Sequence, residues 1–339
     1  MTRLGLFLAL CLAFGACDRD DIGPQSQRPT GEEDSLASGL VYILNEGNFG
    51  RGNAGISTYD PLLKQARQQA FEVANGGLPL GDVAQSMAAY GGQWYVALNG
   101  SSALVALDSV SLVEKARLRG IGTPAAMALA RGKAYLTDVY QNKLRRIDLA
   151  KLSLDTVVSL PVPGKNVQAL GEKLAVGTSG GIVILDQTSL QKDTLLVTSG
   201  PVSSLAVSGK REIWALTDGS PQDSLLGWQG ATWQKAGGYG LGKNSGFLRS
   251  TTDGDSLYWL QESQVWCVDI ANGKPDKCFA SPLQTPYGFN LDPYRGELYL
   301  CDALDFNQAS VIYRMSRSGN LLDSLRTGPI SNQLHFARP

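Results

Sequence analysis

An internal repeat of about 40 residues constrains this chain more than any other feature. The unit is clearest at Gly132-Lys133-Ala134-Tyr135-Leu136-Thr137-Asp138, followed after the polar link Val139-Tyr140-Gln141 by Asn142-Lys143-Leu144-Arg145-Arg146-Ile147-Asp148. It reads as strand, turn, strand, because apolar and polar residues alternate on each side of the link. Aligning every copy on the residue after the Gly-polar pair places Tyr42, Tyr95, Tyr135, Leu174, Trp214, Tyr258 and Tyr299 in register, at spacings of 53, 40, 39, 40, 44 and 41. Seven copies with strand signals and glycine punctuation fit propeller blades of about four short strands each. Helical repeats would need apolar stripes of 3.6 periodicity, and none appears after the N-terminus. The expected fold is all-β: a seven-bladed β-propeller over residues 39–339.

The ends of the repeat predict how the ring closes. In copies two to seven a further short strand precedes the Gly-polar strand: Ser86 to Ala89, Ala126 to Leu129, Val167 to Leu170, Ser204 to Val207, Phe247 to Arg249 and Tyr287 to Leu291. The first copy, which starts at Gly39-Leu40-Val41-Tyr42, lacks one. A matching segment, Ser331-Asn332-Gln333-Leu334-His335-Phe336, is left over at the C-terminus. The C-terminal strand is therefore expected to join the N-terminal blade, removing the open edges that would otherwise invite aggregation.

Residues 1–17 read as a leader: Arg3, an apolar run from Leu4 to Phe14 too short to span a bilayer, then Phe14-Gly15-Ala16-Cys17. The Cys at the cleavage site resembles a bacterial lipobox, which implies that Cys17 becomes the lipidated first residue of the mature protein. An ordinary secretory signal with an incidental Cys is the alternative. Acyl chains anchor a domain without spanning the membrane. Residues 18–38 are polar and apolar-poor, so they cannot bury a core and are expected to act as a flexible tether. Their acidic start resembles the export tag of cell-surface lipoproteins in some Gram-negative bacteria.

Lys plus Arg (30) balances Asp plus Glu (31), so bulk charge favours neither nucleic acid nor an anionic membrane surface as a partner. Of five cysteines, Cys11 leaves with the leader and three fall in the repeats. An Asn-Gly turn at Asn272-Gly273 would set Cys267 and Cys278 on neighbouring strands, close enough to bridge. Cys301 is then an odd thiol with the character of a buried residue.

Enzymatic constellations are scarce. The single histidine, His335, excludes a multi-His metal centre and sits in the closing strand beside Phe336. No cofactor motif is present. Asp138, Asp218 and Asp302 end equivalent strands; carboxylates there can hold a cation or act as acid and base, or simply cap turns through their own backbone. The loops expected on one face of the propeller carry amides and aromatics instead: Asn45, Asn48, Phe49, Asn99, Tyr140, Gln141, Asn142, Gln222, Tyr239, Asn244, Tyr287, Phe306 and Asn307. Uncharged donors and acceptors among flat apolar rings suit a large organic ligand bearing amide groups, although Asn, Gly and Tyr are also what turns contain.

Leu44-Asn45-Glu46-Gly47-Asn48-Phe49, Tyr59-Asp60-Pro61, Leu80-Gly81-Asp82-Val83-Ala84-Gln85-Ser86 and Tyr135-Leu136-Thr137-Asp138 resemble the signatures of surface-exposed seven-bladed propeller lipoproteins related to YncE. That group includes the cobalamin-capturing partner of the outer-membrane vitamin B12 transporter. The resemblance covers essentially the whole domain, is strongest over residues 39–148 and fades in the fifth and sixth copies, where Trp228 and Trp233 replace the strand-ending Asp. It implies a non-enzymatic lipoprotein at the cell surface that captures cobalamin or another corrinoid for a TonB-dependent outer-membrane transporter, attached to the membrane through lipid alone. A metal-dependent, lactonase-like propeller hydrolase and a protein-interaction platform are the alternative expectations.

Overall fold

The computed structural model describes residues 39–338 apart from Val139 and Asn272; the leader with Cys17 and the tether 18–38 lie outside the described residues. Seven four-stranded antiparallel sheets follow one another around a ring. Their innermost strands are Ala84–Tyr90, Pro124–Ala130, Gly164–Leu170, Val202–Val207, Ser245–Ser250 and Pro286–Leu291 in blades two to seven, and Ser331–Phe336 in blade one. The last pairs antiparallel with Val41–Asn45, with Tyr42 opposite His335 and Ile43 opposite Leu334, so the C-terminal strand closes the ring as the repeat predicts.

The residue that revealed the repeat lies in the second strand of each blade and is buried in all seven. It serves the contact between blades. The buried apolar residues form seven clusters, each shared by two neighbouring sheets. Tyr42 and Tyr135 also reach across, their hydroxyls donating to the carbonyl oxygens of Ser109 and Gln187 in the following blade, both at 3.2 Å. An aromatic with a polar tip suits this position because the ring fills the interface while the hydroxyl satisfies an otherwise orphaned carbonyl. The closing strand fills the seventh interface: Leu334 and Phe336 join Val41, Ile43 and Tyr59 of blade one to Tyr299, Cys301 and Ile312 of blade seven.

The long first spacing hides one element that periodicity does not announce. The connection from Gln65–Arg67 to Ala84–Tyr90 holds the short helix Ala70–Ala74, which buries Phe71 in the cluster between blades one and two. Five residues are too few to display a helical stripe.

Cys267 and Cys278 form a disulfide between the third and fourth strands of blade six, with Cα atoms 6.3 Å apart. Cys301 is fully buried beside Asn290, and burial pushes its thiol up to about 12, which makes it an inert core residue.

Candidate functional site

Two sets of connections, the second-to-third strand loops and the links from each outermost strand to the next blade, emerge on the same face. Aspartates tie them together. Asp138 accepts from the Thr123 hydroxyl (2.7 Å) and backbone N–H in the incoming link, from the Tyr140 and Gln141 N–H groups in the loop, and from Arg145 Nη1 at 2.6 Å. Burial alone would raise this carboxyl, but the hydrogen bonds from Thr123 and Arg145 outweigh it and hold Asp138 below the usual carboxylate range. Gly122 makes room for the pair: its φ is +78° and a Cβ there would fall 2.6 Å from Asp138 Oδ2. Asp302 does the same work in blade seven, accepting from the N–H groups of Gln284, Thr285 and Leu304. In blade one Asp82 accepts from Gly50 and Gly52 N–H. Asp138 and Asp302 are wholly buried, Asp302 bonded to backbone N–H groups and Asp138 to backbone, Thr123 and Arg145, whereas Asp218 is exposed just beyond its strand.

These clamps present three exposed aromatic rings. Phe49 is 83% exposed, Tyr140 78% and Phe306 40%, each on a second-to-third loop, in blades one, three and seven. The loops of blades one and seven are joined directly: Asn48 Nδ2 donates to the Phe306 carbonyl at 2.6 Å, and the Phe306 ring sits edge-on to Tyr287 with centroids 5.5 Å apart. Phe306 holds φ +63°, a left-handed conformation that bulky residues seldom adopt and that costs of order 1–3 kcal/mol. The surrounding bonds hold it there.

Beside Tyr287, on which the Phe306 ring rests, lies a group that motif reading does not single out as a site. Glu46 follows the second strand of blade one and sits over the starts of three innermost strands. Its Oε2 accepts from the Tyr287 hydroxyl at 2.8 Å and Asn332 Nδ2 at 3.3 Å, and the Gln85 side chain adds a third bond. Burial raises the Glu46 carboxyl, with those three hydrogen bonds offsetting part of the shift. Tyr287 is pushed up in turn, by burial first and by the Glu46 charge second. None of the ion pairs among the described residues includes Glu46. Asn332 Oδ1, on the side of the amide turned away from the carboxylate, is buried without a donor.

The structure thus gathers Asn48, Phe49, Tyr287, Phe306 and Asn307 on the adjoining loops and strand starts of blades one and seven. Tyr140, Gln141 and Asn142 stand on blade three, with Gln141 Oε1 accepting from Arg145 and Asn142 Nδ2 donating to Pro161 O. Asn99 ties its loop to the next blade through Pro124 O, and Asn244 and Gln222 are exposed on the same face. Three residues expected in loops lie in strands: Tyr287, at the start of Pro286–Leu291 and still beside the face, and two that leave it. Asn45 ends the strand Val41–Asn45, is 2% exposed, and spends its amide on Ser57 Oγ and the Ser331 hydroxyl, so it is an internal strut. Tyr239 lies in the outermost strand Gln234–Gly240 and donates to Gly273 O of blade six, because the fifth blade's strand runs on to Gly240. His335 packs edge-on to Trp94 in the closing strand, its Nε2 buried without a partner.

Similar solved structures show the same architecture. A functionally unknown protein from Desulfotomaculum acetoxidans superposes with a TM-score of 0.73 at 11% identity, over 89% of this chain and 100% of that one. A quinonprotein alcohol dehydrogenase-like protein from Bacteroides thetaiotaomicron gives 0.70 at 14% identity, over 88% and 78%. The Neurospora crassa Pan2 WD40 domain gives 0.61 at 13%, over 79% and 85%. At such identities the likeness is one of fold. No curated protein sequence matches the chain. A family model, the domain of unknown function DUF5074, matches residues 39–234, more than half of the sequence, and the chain belongs to that family.

Proposed function

We propose that the protein is a non-enzymatic capture protein, anchored through lipid on Cys17 to the outer membrane at the cell surface, whose loop-bearing face binds cobalamin or another corrinoid and passes it to a TonB-dependent transporter. The observation that carries this reading is the set of three exposed aromatic rings on loops pinned by Asp82, Asp138 and Asp302. Apolar rings left in water on rigid supports are a binding feature, since ordering them has already been accomplished by the fold. A corrinoid offers a broad face with amide arms on its rim, matching rings interleaved with Asn48, Asn142, Asn244 and Asn307. The resemblance of the Leu44–Phe49 and Leu80–Ser86 segments to the YncE-related lipoproteins supports the same ligand class. Two of the three strand-end carboxylates that a metal-dependent hydrolase would use, Asp138 and Asp302, already serve the loops as hydrogen-bond acceptors, which speaks for capture over turnover.

The test is calorimetric titration with cyanocobalamin. The wild-type protein should bind one equivalent, and Phe49→Ala, Tyr140→Ala and Phe306→Ala should each lose about 1–3 kcal/mol where the ring packs on the ligand. Unchanged affinity in all three variants, or no binding by the wild type, would overturn the proposal.

A further inference from the structure

The geometry points to Glu46 as the residue that selects which corrinoid is accepted: its carboxylate takes a primary amide of the ligand at the centre of the face and turns away a carboxylate in the same place. This inference rests on the capture reading and concerns its selectivity.

Three observations meet at this residue. The first is position. Glu46 lies over the starts of the innermost strands of blades one, two and seven, bonded to Asn332, Gln85 and Tyr287, where a ligand spanning the aromatic loops places its middle. Phe306 joins it to the rim, since that ring rests on Tyr287. The second is hydrogen-bond accounting. A carboxylate only accepts, so the Asn332 amide must turn its NH₂ toward Glu46 and its Oδ1 away, and that oxygen has no donor. That oxygen is itself buried, so the capacity open to a ligand is that of the partly buried Glu46 carboxylate, which only accepts, and what completes it is a donor. The third is charge. Glu46 is a half-buried anion outside every ion pair among the described residues, so no cation stands within ion-pair distance of it to offset a second anion brought against it. A buried site with one kind of hydrogen-bonding capacity rejects the isostere of the wrong kind far more strongly than it rejects a small change in shape.

Corrinoids supply the matching pair of ligands, because the same macrocycle exists with its side chains as primary amides or as free carboxylates of nearly equal size. The experiment compares dicyanocobinamide, with amide side chains, and dicyanocobyrinic acid, with carboxylates, by competition against cyanocobalamin at pH 7.5. The wild-type protein and Glu46→Gln are both measured. The variant keeps the size of the side chain, and Gln accepts from Tyr287 through Oε1 while its NH₂ can donate to a carboxylate. The wild type should prefer the amide ligand, and the preference should shrink about tenfold in Glu46→Gln. Thermal melting of the two proteins confirms that the fold is unchanged. A shrinkage of less than threefold overturns the selectivity proposal while leaving corrinoid capture in place. Failure of the wild type to bind cyanocobalamin or dicyanocobinamide overturns capture, and the selectivity proposal with it.

Discussion

If the closing strand holds the ring, trimming its inward side chains should cost far more than trimming the same chemistry at the rim. Leu334 is 4% exposed and Phe336 9%, and both fill the interface between blades one and seven. The Phe336 ring lies 5.2 Å from that of Tyr299. Truncating a buried Leu to Ala costs about 2–5 kcal/mol and a buried Phe about 3–5, the spread reflecting how far the site collapses. Leu154, on the outermost strand Ser153–Ser159 of blade three, is 48% exposed, and its truncation should cost about 0.5 kcal/mol or less. At roughly 2–4 °C per kcal/mol for a domain of this order of size, Leu334→Ala should lower the melting temperature by about 4–20 °C and Leu154→Ala by no more than about 2 °C. Deleting residues 331–339 removes both anchors, the pairing with Val41–Asn45 and the inner wall of blade one. That loss is comparable with a whole domain stability of about 5–15 kcal/mol, so the truncated chain should unfold or aggregate. Scanning calorimetry on the four proteins settles the matter. Equal melting temperatures for Leu334→Ala and Leu154→Ala, or a deletion that melts like the full chain, would refute the closure argument.

Asp138→Asn leaves Arg145 facing a neutral group in a buried setting, and should destabilise by about 3–5 kcal/mol in chemical unfolding at pH 7; because the folded carboxyl lies below its ordinary value, the difference from wild type should fade as the pH drops below about 4. His335 acts in the same sense over a higher pH window: burial first and Arg249 second hold its imidazole down to about 4, so it stays neutral in the fold while the unfolded chain takes up a proton below about 6.5. Stability should therefore fall by as much as about 3 kcal/mol between pH 6.5 and 4, and His335→Gln should flatten that part of the profile in denaturant titrations. Cys17→Ser should release the protein from membranes on fractionation, since no helix among the described residues is long and apolar enough to cross one; continued sedimentation with membranes would point to another attachment.

Fold and site differ in how much of them a sequence displays. The buried second-strand residues from Tyr42 to Tyr299 made the blades visible because each blade solves the same packing problem at the same interval. The closing strand was visible as a shortfall at one end and a surplus at the other. Phe49, Tyr140 and Phe306 were legible because apolar rings among turn residues are out of place in any loop. Glu46 was not, although it stands inside the Leu44–Phe49 segment: its partners Tyr287 and Asn332 are 241 and 286 residues away, and a carboxylate's role is set by what surrounds it. Asn45 and Tyr239 show the converse. Both have the composition of a binding face, yet a one- or two-residue extension of a strand turns the first inward and carries the second to the rim.

Amide hydrogen exchange with and without saturating cyanocobalamin reports binding and its location together. Capture on the loop-bearing face predicts slowed exchange in residues 46–54, 140–142 and 303–308, with the turns of the opposite face at 61–64, 109–113 and 149–152 unchanged. Protection confined to those opposite turns, or no change anywhere at saturation, would contradict it.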